Sequence, residues 1–98
     1  MIDMQVRSES GAVVIHGSNG IRWSDALARL DPESFPCLSS LLPYADAIFN
    51  SRQTERLRRE LSDQYVRTVI GEAAAVEAER LSREVEKGSH LYLWFVGD

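Results

Sequence analysis

The pattern of apolar and polar positions is clearest at the end of the chain, where Leu91 to Val96 form an unbroken apolar run of six residues. Such a run is far short of the about 20 residues that cross a bilayer. It reads as a strand buried on both faces, with Leu91, Leu93 and Phe95 on one side and Tyr92, Trp94 and Val96 on the other. A buried final strand implies a fold that closes around it. On that reading Trp94→Ala costs about 3–5 kcal/mol. At the other end, 3–7 and 12–17 have strand character around a turn at Ser8-Glu9-Ser10-Gly11. Asn19-Gly20 is a strong hairpin signal and predicts that Ile21-Arg22-Trp23 folds back on the second strand, completing a three-stranded meander.

The middle of the chain changes period. Trp23, Ala26, Leu27 and Leu30 recur at helical spacing behind Ser24, a candidate N-cap, and Asp31-Pro32 ends that helix. Residues 31–43 hold all three prolines and read as loop, with a helical turn near Leu38–Leu42. Asn50 and Gln53 have capping-box spacing. Leu57, Leu61 and Tyr65 then mark one stripe, on a helix of about 51–68. Ala74, Ala78, Leu81 and Val85 mark another, on a helix of about 72–87 that Gly88 stops. One rod over both would be about 55 Å long, against a radius of gyration of about 13 Å for a domain of this size. A break near Gly71 and an antiparallel helix pair follow.

The order β-β-β-α-loop-α-α-β predicts an α+β two-layer sandwich in one domain, 1–98. The terminal strand is central, paired with the N-terminal meander, and the helix pair covers one face. The opposite apolar face needs its own cover. The 24–30 helix with the proline segment would supply it; failing those, a second copy of the chain would, giving a homodimer.

Composition narrows the function classes. The chain is 44% hydrophobic and 27% charged, as in ordinary globular domains. No basic start precedes an apolar run, so no secretory leader is expected, and the location expected is cytoplasmic. The one cysteine, Cys37, excludes an internal disulfide and suits a reducing compartment. Net charge is −4, with net +2 confined to 51–67. That balance argues against nucleic acid, whose phosphates need a basic face, and nothing points to a membrane.

No catalytic constellation is visible. His16, His90 and Cys37 lack the close spacing of a zinc motif. Gly17-Ser18-Asn19-Gly20 lacks the lysine of a phosphate loop. The acidic pairs Asp31/Glu33 and Glu77/Glu79 read as surface charge. No cofactor is expected, and the balance leans away from an enzyme. Two groups remain as binding candidates. Arg52 and Arg56 share a helix face suited to an acidic partner surface. Tyr44, Asp46, Asn50 and Gln53 form a polar–aromatic cluster in which, if 44–50 is helical, Asp46 and Asn50 share a face. The competing reading makes Asn50 a helix cap and Ile48 and Phe49 core plugs.

Two segments carry a resemblance. Phe35-Pro36 and Leu38 lead into the pattern PYxDxxFNxxQ (Pro43 to Gln53), and the chain ends LYLWFVGD. Together they resemble a scattered group of small uncharacterised bacterial proteins, many actinobacterial, to which no activity attaches. Some proteins of this style are immunity or accessory partners of larger proteins. The resemblance adds Asp98 to the candidates, as a charge to pair with an arginine of 51–67. The expectation is a non-catalytic module that binds another protein, with a small homodimeric enzyme or ligand-binding domain as the alternative, its pocket near Tyr44, Asp46 and Trp94.

Overall fold

The computed structural model describes residues 1–97. Four antiparallel strands form one sheet in the order β2-β1-β4-β3, with β1 at Asp3–Ser8, β2 at Val13–His16, β3 at Ala47–Phe49 and β4 at Leu91–Val96. The helices are α1 (Asp25–Ala28), α2 (Ser51–Leu61), α3 (Gln64–Ile70) and α4 (Glu72–Lys87), with a short 3-10 turn at Leu38–Ser40. The α+β two-layer reading holds. β4 is an interior strand, paired with β1 along its whole length from Asp3↔Val96 to Ser8↔Leu91.

One face of the sheet carries the core. Met4 and Val6 of β1, Leu93 and Phe95 of β4 and Phe49 of β3 are buried against Leu57 and Leu61 of α2 and Ala74, Ala78, Leu81 and Val85 of α4. The alanines of α4 let its backbone approach closely, while the large residues fill the space beside it. Phe49 meets Phe95 edge to face, with ring centroids 5.6 Å apart and planes at 82°, the orientation that sets a positive ring edge against a negative face. Across the helix layer Arg58 of α2 grips Glu86 of α4 through two hydrogen bonds. Arg67 of α3 bonds Glu72 and Glu79 of α4 and the carbonyl of Leu61.

Four local expectations are corrected. First, Asn19-Gly20 makes no hairpin. Gly17 donates its N–H to Met4 O, and Ile21 then exchanges both backbone bonds with Ile2. The chain leaves β1 for three residues and returns to it, so Ile21 is a single buried bridge rather than the start of a third strand. Gly17 is needed there because a Cβ would stand 2.6 Å from Met4 O. Glu77 holds the excursion from outside by accepting the Ser18 N–H.

Second, the helix of 51–68 is two helices. Asp63 accepts from the N–H groups of Tyr65 and Val66, capping α3 and restarting the helical phase. Val66 is therefore buried and Tyr65 is 57% exposed, which removes Tyr65 from the stripe. The break at Gly71 is present, with φ 89° and ψ 147°, a region almost confined to glycine.

Third, 47–49 is a strand, the edge strand beside β4, rather than part of a helical or turn segment. Phe49 is core as expected; Ile48, on the opposite side of the strand, is 47% exposed. Fourth, α1 packs against α3 and the 3-10 turn, on the helix side of the sheet. Neither it nor the proline segment covers the other face, so β4 is buried on one face and only half-buried on the other.

Candidate functional site

Among the described residues, the outer sheet face is the feature that the fold leaves without a second layer over it. Alternation along each strand and the register between strands define its rows. The middle row runs His16, Gln5, Trp94, Ile48 across β2, β1, β4 and β3. Beside it on one side Arg7 stands opposite Tyr92, and on the other Asp3 stands opposite Val96. A bulge in β2 places Val13 opposite Arg7 and adds Val14, which is 55% exposed. The Arg7 guanidinium lies 4.0 Å from the Trp94 ring centroid and donates from Nε to Gln5 Oε1 at 2.9 Å. Trp94 is thus half-covered by a cation held in place from a neighbouring strand position, a flat aromatic–cation platform.

The residues singled out in the sequence do not converge on one site. Asn50 and Gln53 form the capping box of α2, with Gln53 N to Asn50 Oδ1 at 2.9 Å and Asn50 N to Gln53 Oε1 at 2.8 Å; the capping reading accounts for both side chains. Asp46 Oδ1 accepts the Gly97 N–H at 3.1 Å and ties the segment before β3 to the end of β4. Tyr44 projects from a tight turn closed by a Leu42↔Ala45 bridge and is 83% exposed. Arg52 is exposed on α2. Arg56 stands 3.5 Å from Glu60 and lines an open cleft of about 430 Å³ with Ser34, Phe35, Arg59 and Asp63. The expectation for Asp98 lies outside the described residues.

Two carboxylates assigned to the surface or passed over turn out to be buried. Glu77 on α4 accepts from Ser18 N and from Arg80. Burial works against its charge, but Arg80 and the Ser18 N–H outweigh it, and its pKa lies below the ordinary value. Glu60 on α2 accepts the N–H groups of both Cys37 and Leu38, at 3.1 and 3.0 Å, anchoring the proline segment. The Cys37 thiol, buried and beside Glu60, is pushed up to about 12, the opposite of a nucleophilic cysteine. Among the described residues no group of three His, Cys, Asp or Glu is placed to hold a metal, and no helix is long and apolar enough to cross a membrane. His16 and His90 are not opposed: β1 separates their strands, and His90 Nδ1 lies 3.8 Å from Glu9.

Sequence reading missed Arg7 and Ile48 as neighbours of Trp94, and Asp3 and Val14 as members of the same face. The alternation of β4 exposed Tyr92, Trp94 and Val96 as a set, but the neighbours of that set depend on register, and β3 carried no strand signal. No protein-family model matches the sequence, and neither a curated protein nor a solved structure matches it.

Proposed function

We propose that this chain is a non-catalytic protein-binding module, an accessory or immunity-type partner of a larger bacterial protein, and that the open sheet face is its contact surface. The carrying observation is the row Gln5, Trp94, Ile48 with Tyr92, Val96 and Val14 around it, a mixed aromatic, apolar and polar surface on which Ile48 and Val14 are exposed and Trp94, Tyr92 and Val96 half-buried, while the other sheet face carries the core. Aromatic residues and arginine are the types enriched at protein contacts, and here Trp94, Tyr92 and Arg7 lie together on one face. The net charge of −4 favours encounter with a basic partner. The small-molecule alternative has less support. Tyr44 and Asp46 sit at a projecting turn, Trp94 is on the flat sheet, and the clefts of about 430, 340 and 330 Å³ are lined by other residues.

The test is quantitative capture of partners by the wild-type chain and by Val14→Arg, Ile48→Arg and a control on the helix side, Val76→Arg. Loss of the same partner with the first two and its retention with the third supports the face. A complex insensitive to both sheet-face variants overturns it.

A further inference from the structure

We propose that the open sheet face pairs with a second copy of this chain, through a two-fold axis that runs across the strands along the Gln5–Trp94 row. The inference rests on the reading of this face as a protein contact, and goes further by adding a second copy of the chain as the occupant that holds the face in exchange with the larger partner, and by giving its geometry. Asp3 and Arg7 lie on the same strand and the same face, two residues to either side of Gln5. A two-fold axis through the Gln5 row and perpendicular to the strands turns one sheet over onto the other with the strand direction reversed. β1 then lies over β1 of the partner, each Arg7 comes opposite the other copy's Asp3, and Tyr92 comes opposite Val96. Ile48, on the axis row, meets its own copy; the Arg7 guanidinium, which lies over the Trp94 ring on the same row, turns off that ring to reach the partner's Asp3 and lets the two indoles meet. An axis parallel to β1 and over it would instead oppose Asp3 to Asp3 and Arg7 to Arg7. The charges of the face are therefore self-complementary in one orientation and repulsive in the other, which is how an isologous interface sets its register. Packed sheets keep their strands within about 30° of one another, so the arrangement is compatible with strand twist.

The footprint sets the strength. Strands of three to six residues rising about 3.4 Å per residue and spaced about 4.8 Å apart give a face of about 300 Å². Stable complexes use about 800 Å² per partner. The pair is accordingly a reversible dimer in exchange with monomer, not an obligate one.

The experiment is sedimentation velocity of the wild-type chain from about 10 to about 500 µM, repeated for Asp3→Lys, Arg7→Glu and an equimolar mixture of the two, with native mass spectrometry to read composition. The expected result is a concentration-dependent wild-type dimer, each single variant associating at least about tenfold more weakly because like charges then face each other twice, and recovery in the mixture as a heterodimer. The weakening of the single variants is specific to the proposed axis, since about an axis parallel to β1 the wild type and both single variants alike would set like charges opposite each other; recovery in the mixture shows that the loss is one of charge and not of folding. Circular dichroism checks that each variant is folded, and Ile48→Arg, which alters an exposed residue on the axis row, supplies an independent break. A wild-type chain that stays monomeric to about 500 µM, or a mixture that fails to reassociate, overturns the inference. If in that case Ile48→Arg still abolishes capture of a different protein, self-pairing fails while the contact face stands. A dimer indifferent to every one of these substitutions forms through another surface and overturns the inference, while the contact-face reading is decided by the capture experiment.

Discussion

The backbone N–H of Ser18 donates to Oε1 of Glu77, 59 residues further along the chain, at 3.2 Å. That bond ties the excursion after β2 to the middle of α4, where the local sequence calls for a hairpin. Removing the carboxylate in Glu77→Ala leaves the Ser18 N–H without its acceptor and Arg80 without its partner. A loss of about 2 kcal/mol is expected by urea unfolding, with Ile21 the first position to lose hydrogen-exchange protection. An exchange pattern unchanged at Ile2 and Ile21 would remove Glu77 from that role.

Acid lability follows from the same residue and from Glu86. Both carboxyls lie below their ordinary value of 4.5, Glu86 through the two hydrogen bonds from Arg58 and Glu77 through Arg80 and Ser18 against the cost of burial. A depressed folded-state pKa contributes stability that is present above the ordinary carboxyl range and lost as pH falls through the folded value. The stability gap between wild type and Glu77→Gln/Glu86→Gln is therefore open at pH 7 and closes as pH falls below about 4.5. Denaturant midpoints across pH measure it; a gap constant with pH would mean that neither charge is used in the fold.

The proline segment hangs on Glu60. Its two oxygens take the N–H groups of Cys37 and Leu38, so Glu60→Ala strands two buried donors and costs about 2–4 kcal/mol. Cys37 reports on the change. In the wild type its thiol is buried and pushed up to about 12, and reaction with a disulfide reagent at pH 8 is slow. In the variant the reaction accelerates by at least about tenfold, since the thiolate is the reactive form and its anionic neighbour is gone. Equal rates would show that access alone controls the thiol.

Gly17→Ala tests the close approach of the chain to β1. The added methyl would stand 2.6 Å from Met4 O and 3.3 Å from Met4 Cβ. Backbone there has to move, so a loss of at least about 2 kcal/mol is expected. An unchanged melting temperature would mean that β2 can slide away from β1 without cost.

Trp94 and Phe95 are neighbours with different fates. Phe95 is fully buried against Phe49, and its truncation to alanine costs about 3–5 kcal/mol. Trp94 faces outward beneath Arg7. The core-sized penalty expected for it from the apolar run therefore falls to about 1–2 kcal/mol, for partial burial and one cation–π contact. Thermal or chemical unfolding of the two single variants compares them directly; equal losses would place a cover on the outer face of β4.

Local chemistry by itself determined the α+β class, the interior position of β4, the Ser24 and Asn50 caps, the break at Gly71 and the stop at Gly88. Each depends on residues within a turn or two of one another, or on an apolar pattern that a single strand or helix displays. Tertiary structure decided the rest. β3 became a strand because β4 offered it a ladder, although Ala47-Ile48-Phe49 has too few residues to show a period of two. Asp63 split a helix whose two halves share no stripe once each is packed. Glu77, 59 residues away, carried the chain through Asn19-Gly20 without a reversal. The side of the sheet taken by α1 left Trp94, Ile48 and Arg7 together in the open, because which residues share a face depends on strand register, and register is a relation between segments that no one segment contains.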